Sequence, residues 1–155
     1  MTILDGNNLI HKIPHLKELF LKDKESTQLA LIEAVRTNFS GREKIIFVFD
    51  GFGNIKLEGV IYSKEITADE IIRKEIEQFS DHKKLKVISS DNSIRNLAKV
   101  CGCDVQKSEE FWSAVSKREN LYEGRNINQN FIYDKPEKPE RISKKELKEF
   151  KNYFT

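Results

Sequence analysis

Four aspartates could act together on a phosphodiester: Asp5 in TILDGNNLIH, Asp50 after IIFVF, Asp69 in ITADEIIRKEI and Asp91 after VISS. Each also has a plain structural explanation. Asp5 and Asp50 suit turns, Asp91 suits a helix N-cap, and Asp69 suits the first turn of a helix, where an acid complements the helix dipole. Three of them follow short apolar runs, however, and in an open parallel sheet the C-terminal strand ends line the rim where ligands bind. Carboxylates crowded there repel one another unless a cation intervenes. A set of oxygen donors alone favours Mg²⁺ or Mn²⁺ over zinc. Such an ion can lower the pKa of a bound water and neutralise a leaving oxygen, so the chemistry expected of the set is hydrolysis of a phosphodiester.

The elements needed to bring these residues together can be read from pattern. Short apolar runs alternate with longer segments of helical period, which predicts βαβ units and an α/β fold with a mainly parallel sheet. Strands are predicted at Thr2 to Leu4, Lys44 to Phe49, Gly59 to Tyr62, Lys86 to Ile88 and Asp104 to Gln106. Helices are predicted at Asn8 to Leu21, with Pro14 delaying or kinking it, at Ser26 to Phe39, and at Thr67 to Phe79 behind a Thr67–Glu70 capping box. A further helix runs through Ile94, Leu97, Ala98 and Val100 to a Gly102 cap, and Ser108 is expected to cap a helix holding Phe111, Trp112 and Val115.

The chain has 155 residues, 38% of them hydrophobic and 34% charged, which suits one soluble globular domain with a heavily ionised surface. No apolar run approaches the ~20 residues of a membrane span, so a cytoplasmic setting without a membrane partner is expected. Cys101 and Cys103 form a single Cys-Gly-Cys with no second pair, which points to ordinary thiols rather than a zinc site. The formal net charge is only +2, so attraction to a polyanion must come from where the charges lie. Lys12 and Arg95, with others such as Lys64, Arg73 and Lys107, fall on segments beside the acids, while Phe52, Tyr62 and Trp112 offer rings on which bases could stack. Trp112, next to Phe111, also suits a core position.

At these residues the sequence resembles the NYN domains of the PIN-like nuclease group, and most closely the YacP-like NYN proteins. The matching segments are ILDGNNLI, FVFDG, ITADEIIRKEI and VISSDNSIRNLAKVCGCDV, which span roughly residues 2 to 117. The resemblance implies a PIN-like three-layer α/β/α sandwich and metal-dependent ribonuclease activity. By motif, Asp5, Asp50, Asp69 and Asp91 become the catalytic and metal-holding acids, with Asn8 beside Asp5 in the first acidic segment; from their own chemistry and position, Asn8, Ser90, Lys12 and Arg95 are the expected substrate contacts. Asn7 departs from the family pattern, which often has an aromatic residue there.

The expectation is thus an endoribonuclease with Mg²⁺ or Mn²⁺ acting on single-stranded RNA, mRNA above all. The nuclease domain is placed at residues 1–119. A basic connector and final helix follow at 120–155, with Leu147, Phe150 and Phe154 packing on the same domain and lysines free for a partner such as the ribosome. The main alternative is a catalytically silent RNA-binding module. A response-regulator receiver fits poorly, because Gly6 follows Asp5 where an acidic pair would be needed. A metal-free His mechanism lacks two well-placed imidazoles: Pro14 separates His11 from His15, and His82 lies in a charged loop.

Overall fold

A computed structural model describes residues 1–39 and 43–117. Its centre is a five-stranded sheet in the order β3-β2-β1-β4-β5, with every pairing parallel. The strands are β1 (Thr2–Asp5), β2 (Ile45–Phe49), β3 (Val60–Tyr62), β4 (Lys86–Ile88) and β5 (Asp104–Gln106). The chain steps outward from β1 to β3 on one side and then returns to pair β4 on the other side of β1. The order therefore reverses between β1 and β4, and the crevice of an open α/β sheet lies there.

Alternate side chains of the strands feed two cores. Leu4, Phe47, Phe49 and Ile88 point to one face and are fully buried under α1 (Gly6–Lys12), α2 (Pro14–Lys22) and α3 (Lys24–Asn38). Residues 108–117 are helical and add Phe111, Trp112 and Val115 to that layer. Ile3, Ile46, Val48 and Val87 point to the other face and pack on α4 (Ala68–Gln78) and α5 (Asn92–Cys101). The result is the expected three-layer α/β/α sandwich. Buried on both faces, the inner strands β1 and β2 read as nearly continuous apolar runs, as parallel strands usually do, whereas the edge strand β5 is partly exposed and polar at both ends.

Local signals explain several boundaries. The Thr67 hydroxyl accepts from the Glu70 amide at 3.1 Å, and the Glu70 carboxylate accepts from the Thr67 amide at 2.9 Å. This is the reciprocal box that the sequence predicts, so α4 starts where expected. Gly102, with φ +90°, closes α5 in a left-handed conformation open to glycine.

Other expectations need correction. The helix predicted over 8–21 is two helices that meet at Ile13, which ends α1 and precedes α2. Proline lacks an amide and fits the first helical position, so Pro14 starts α2 rather than kinking one long helix. α3 begins at Lys24, two residues early, because the Asp23 carboxylate accepts from the Ser26 amide at 3.1 Å. Val100 is 86% exposed and does not belong to the apolar stripe of α5. Cys103 is buried and Cys101 half-buried, both as free thiols. Among the described residues, no helix is long and apolar enough to cross a membrane. The boundary placed at 119–120, the connector and the final helix with Leu147, Phe150 and Phe154 lie outside the described residues.

Candidate active site at the carboxyl rim of the sheet

Asp5 closes the central strand and is only 6% exposed. One of its oxygens accepts from the Asn8 amide at 3.4 Å, capping α1, and the other accepts from the Ser89 hydroxyl at 3.0 Å. Burial, opposed by these hydrogen bonds and reinforced by the charges of Asp69 and Asp91, pushes its pKa from 3.8 up to about 6. The three carboxylates are thus near enough to repel one another, as crowding at one rim requires.

Asp50 follows β2 on the neighbouring strand end and is exposed. Its Oδ1 accepts from the Ser63 hydroxyl at 3.1 Å and from the Ala68 amide at 3.0 Å, at the start of α4. Asp69 lies in the first turn of α4, where its Oδ2 accepts from Arg73 Nε at 2.7 Å. The Arg73 guanidinium also donates to the Ser93 hydroxyl on α5, and the Asp69 bond, with help from the Asp91 charge, holds its pKa above its ordinary value. Asp91 precedes α5 and caps it by accepting from the Ile94 amide at 3.1 Å. Each acid therefore has the structural role its type suggests, and the fold still gathers them along one rim.

Two side chains to which the sequence assigns no such role, Ser89 and Asn7, tie that rim together. The Ser89 hydroxyl donates to Asp5 and accepts from the Asp91 amide at 3.1 Å, linking the two acids across the switch point. Asn7 Oδ1 accepts from the Asp50 amide at 3.1 Å, linking the ends of β1 and β2. Thus Asn7, where the motif often has a ring, braces the neighbouring acid. No local signal marks the bonds from Ser89 to Asp5 and from the Asp50 amide to Asn7, because they span 84 and 43 positions.

The expected substrate contacts sit nearby with different degrees of freedom. Asn8 Oδ1 accepts from the Ser90 amide at 2.9 Å and the Ser108 hydroxyl at 2.8 Å, so its amide NH₂ is turned away from those donors. Ser108 does not cap its helix as expected; its hydroxyl serves Asn8 instead. The Ser90 hydroxyl donates to Glu109 and accepts from the Ser108 amide. That bond to Ser90 holds the Glu109 carboxyl below its ordinary pKa. Lys12 is exposed at the end of α1. Arg95 is half-buried on α5, and its Nε is buried without a hydrogen-bond partner among the described residues. Of the three expected stacking rings, Trp112 is 5% exposed in the core, and Tyr62 is half-buried with its hydroxyl donating to Gln28. Only Phe52 is exposed.

The donors at the rim are all oxygen, which suits a hard cation. Among the described residues no group of three or more His, Cys, Asp or Glu is arranged to hold a metal ion. Mg²⁺ commonly binds through one or two carboxylates, with water and substrate phosphate completing its shell. The donor set fits that arrangement better than a closed protein cage.

No curated protein is significantly similar to the chain. Among solved structures it is similar to Rae1 (YacP) from Bacillus subtilis in a tryptophan-to-leucine mutant, at 28% identity and TM-score 0.67, covering 84% of this chain and 85% of that one. It is also similar to Rae1 (YacP) from Bacillus subtilis without that mutation, at 25% identity and TM-score 0.65, over 83% of this chain and 80% of the other. The YacP-like NYN domain matches residues 2–155, reaching through the segment beyond residue 117 that the quoted motifs leave uncovered. With its acids on the rim of a parallel sheet and the family pattern along its length, the chain belongs to the YacP-like NYN domain family.

Proposed function

We propose that the chain is an endoribonuclease that hydrolyses phosphodiester bonds in single-stranded RNA, mRNA above all, in a cytoplasmic and ribosome-linked setting. One or two of Asp5, Asp50, Asp69 and Asp91 would hold its Mg²⁺ or Mn²⁺, and the others would orient the water of that ion. The nuclease-like character of the family supports this reading. The observation that carries it is Asp5, a carboxyl buried at the end of the central strand beside two further acids, with its pKa raised to about 6. Such a charge is costly where it stands until a cation shares the site.

A bound divalent ion would supply a water of lowered pKa aimed at phosphorus and would neutralise charge on the leaving oxygen. The chain's own residues position these partners. Ser89 and the Asn8 amide orient the two oxygens of Asp5, and Ser63 with the Ala68 amide fixes one oxygen of Asp50. Asn8, its carbonyl oxygen turned to Ser90 and Ser108, offers its NH₂ to substrate. Ser90 serves the substrate through Asn8, since its own hydroxyl is engaged by Glu109. Lys12, exposed at the end of α1, and the positive charge of half-buried Arg95 attract phosphate. Residues 1–119 form the nuclease unit in this reading, and the basic segment at 120–155 gives the lysines that meet the ribosome.

A catalytically silent RNA-binding module is the second reading, favoured by the lack of a ready three-ligand group among the described residues. Purified protein incubated with single-stranded RNA, with and without EDTA, separates the two. Cleavage that needs the metal and is lost in Asp5→Asn and Asp91→Asn supports the nuclease. Binding without cleavage supports the module, and cleavage that survives chelation and both substitutions rejects the metal mechanism.

A further inference from the structure

Among the described residues, the large apolar side chains open to solvent are Leu21, Phe52, Leu57, Ile66 and Val100. Two of them, Phe52 and Ile66, line one open cleft of about 290 Å³ together with Ser63, Lys64 and Glu65. The cleft shares a wall with the acidic rim, because the Ser63 hydroxyl donates to Asp50 at 3.1 Å. Apolar surface on the lip of a polar site marks a place of contact more often than an isolated exposed leucine does.

The loop that presents Phe52 is braced on several sides. The Gly51 amide donates to the Ser63 hydroxyl at 2.8 Å, the Lys64 amide donates to the Gly51 carbonyl at 2.8 Å, and Lys24 Nζ donates to the Phe52 carbonyl at 3.3 Å. Gly53 lies flat on the Tyr62 ring, where an added Cβ would fall 2.1 Å from the ring atoms. Across the cleft, Lys64 holds φ +59°, a left-handed conformation that is uncommon for a residue with a side chain. Such strain tends to persist where the surroundings fix it, often at binding sites. The Phe52 ring is nonetheless 67% exposed. It is therefore a fixed aromatic face held out to solvent, with an ammonium beside it and a phosphodiester site behind it.

We infer that this cleft is a subsite for one unpaired nucleobase of the RNA strand, stacked on Phe52 with Ile66 at its edge and Lys64 near the flanking phosphate. The inference rests on the ribonuclease reading and adds to it where the strand lies: along the β2–β3 side of the rim. Aromatic stacking accepts any base, because every base offers a π-face. It also requires a base free of a duplex partner, so the subsite selects single strands.

Binding of a short fluorescein-labelled oligouridine to the full chain in EDTA, read by anisotropy, tests the subsite with cleavage switched off. Phe52→Ala is expected to bind about fivefold to about a hundredfold more weakly, the span that stacking of one base typically covers. Phe52→Trp is expected to keep the affinity of the unaltered chain, and its new exposed indole to be quenched by the oligonucleotide, with buried Trp112 as a constant background. Equal affinities for Phe52→Ala and the unaltered chain, or an unquenched Phe52→Trp, overturn the subsite and leave the ring to a protein surface. Metal-dependent cleavage by the unaltered chain, measured in parallel, would then keep the nuclease reading intact. If the unaltered chain neither binds nor cleaves RNA, both fall.

Discussion

Replacing Asp5 by asparagine should make the protein more stable at neutral pH while removing its proposed activity. In the unfolded chain this carboxyl titrates near 3.8, and in the folded chain near 6. Between those values the native state binds more protons than the unfolded state, so stability falls as pH rises and reaches its floor above pH 6. At about 1.4 kcal/mol per unit, the cost of the ionised, buried carboxylate is about 3 kcal/mol. Asparagine carries no charge and keeps an oxygen for the Asn8 amide. Its NH₂, however, must meet the Ser89 hydroxyl that now donates to Asp5, at a cost of about 1 kcal/mol. Asp5→Asn is thus expected to be about 1 kcal/mol less stable than the unaltered protein below pH 4 and about 2 kcal/mol more stable above pH 6.5. Urea denaturation of both proteins in EDTA at steps from pH 4 to pH 8 measures this crossing. Added Mn²⁺ should close the gap by stabilising only the protein with the carboxylate. A stability difference that stays flat across this range, or that moves against Asp5→Asn as pH rises, would refute the burial argument and with it the site's need for a cation.

Substitutions at three further positions separate local structure from chemistry. Asp91→Asn keeps an oxygen for the Ile94 amide, so urea stability should hold within about 0.5 kcal/mol while RNA cleavage falls at least about tenfold; Asp91→Ala should cost about 1 kcal/mol more through the lost cap. Arg73→Gln removes an ion pair whose partners are 36% and 41% exposed and screened by solvent, and a thermal melt should show little or no loss. A larger loss would mean that the bridge to Ser93 holds α4 to α5. Gly6→Ala would put a Cβ 2.4 Å from the fully buried Phe49 ring and 3.1 Å from the Val48 carbonyl, and the urea midpoint should fall by the equivalent of about 1–3 kcal/mol.

What the sequence made legible follows from the range of each interaction. The Thr67–Glu70 box, the Gly102 stop and the IIFVF strand are written within a few residues, and each stands where it was expected. The four acids were legible as candidates because each ends or begins a recognisable element, so a parallel sheet sufficed to bring them to one rim. Ile13 was missed because two helices with their own starts give nearly the same apolar period as one kinked helix. Ser89, Asn7 and the Ser108 bond to Asn8 were missed because strand order, not nearby sequence, decides which hydroxyl meets which carboxylate. Val100 is apolar but lies off the face formed by Ile94, Leu97, Ala98 and Cys101, which carries α5 on the sheet to its last residue.

β1 lies in the middle of the sheet although it comes first in the chain, and that ordering delays assembly of the rim. Its flanking strands begin at Ile45 and Lys86, the Ser89 hydroxyl must travel back 84 positions to reach Asp5, and the Ser108 hydroxyl 100 positions to reach Asn8. Contacts of such long range form late, after the loops between them have closed. A growing polypeptide that has not yet produced Ser89 carries Asp5 without its neighbours, so the acidic rim exists only once β4 has been made and has found its place beside β1.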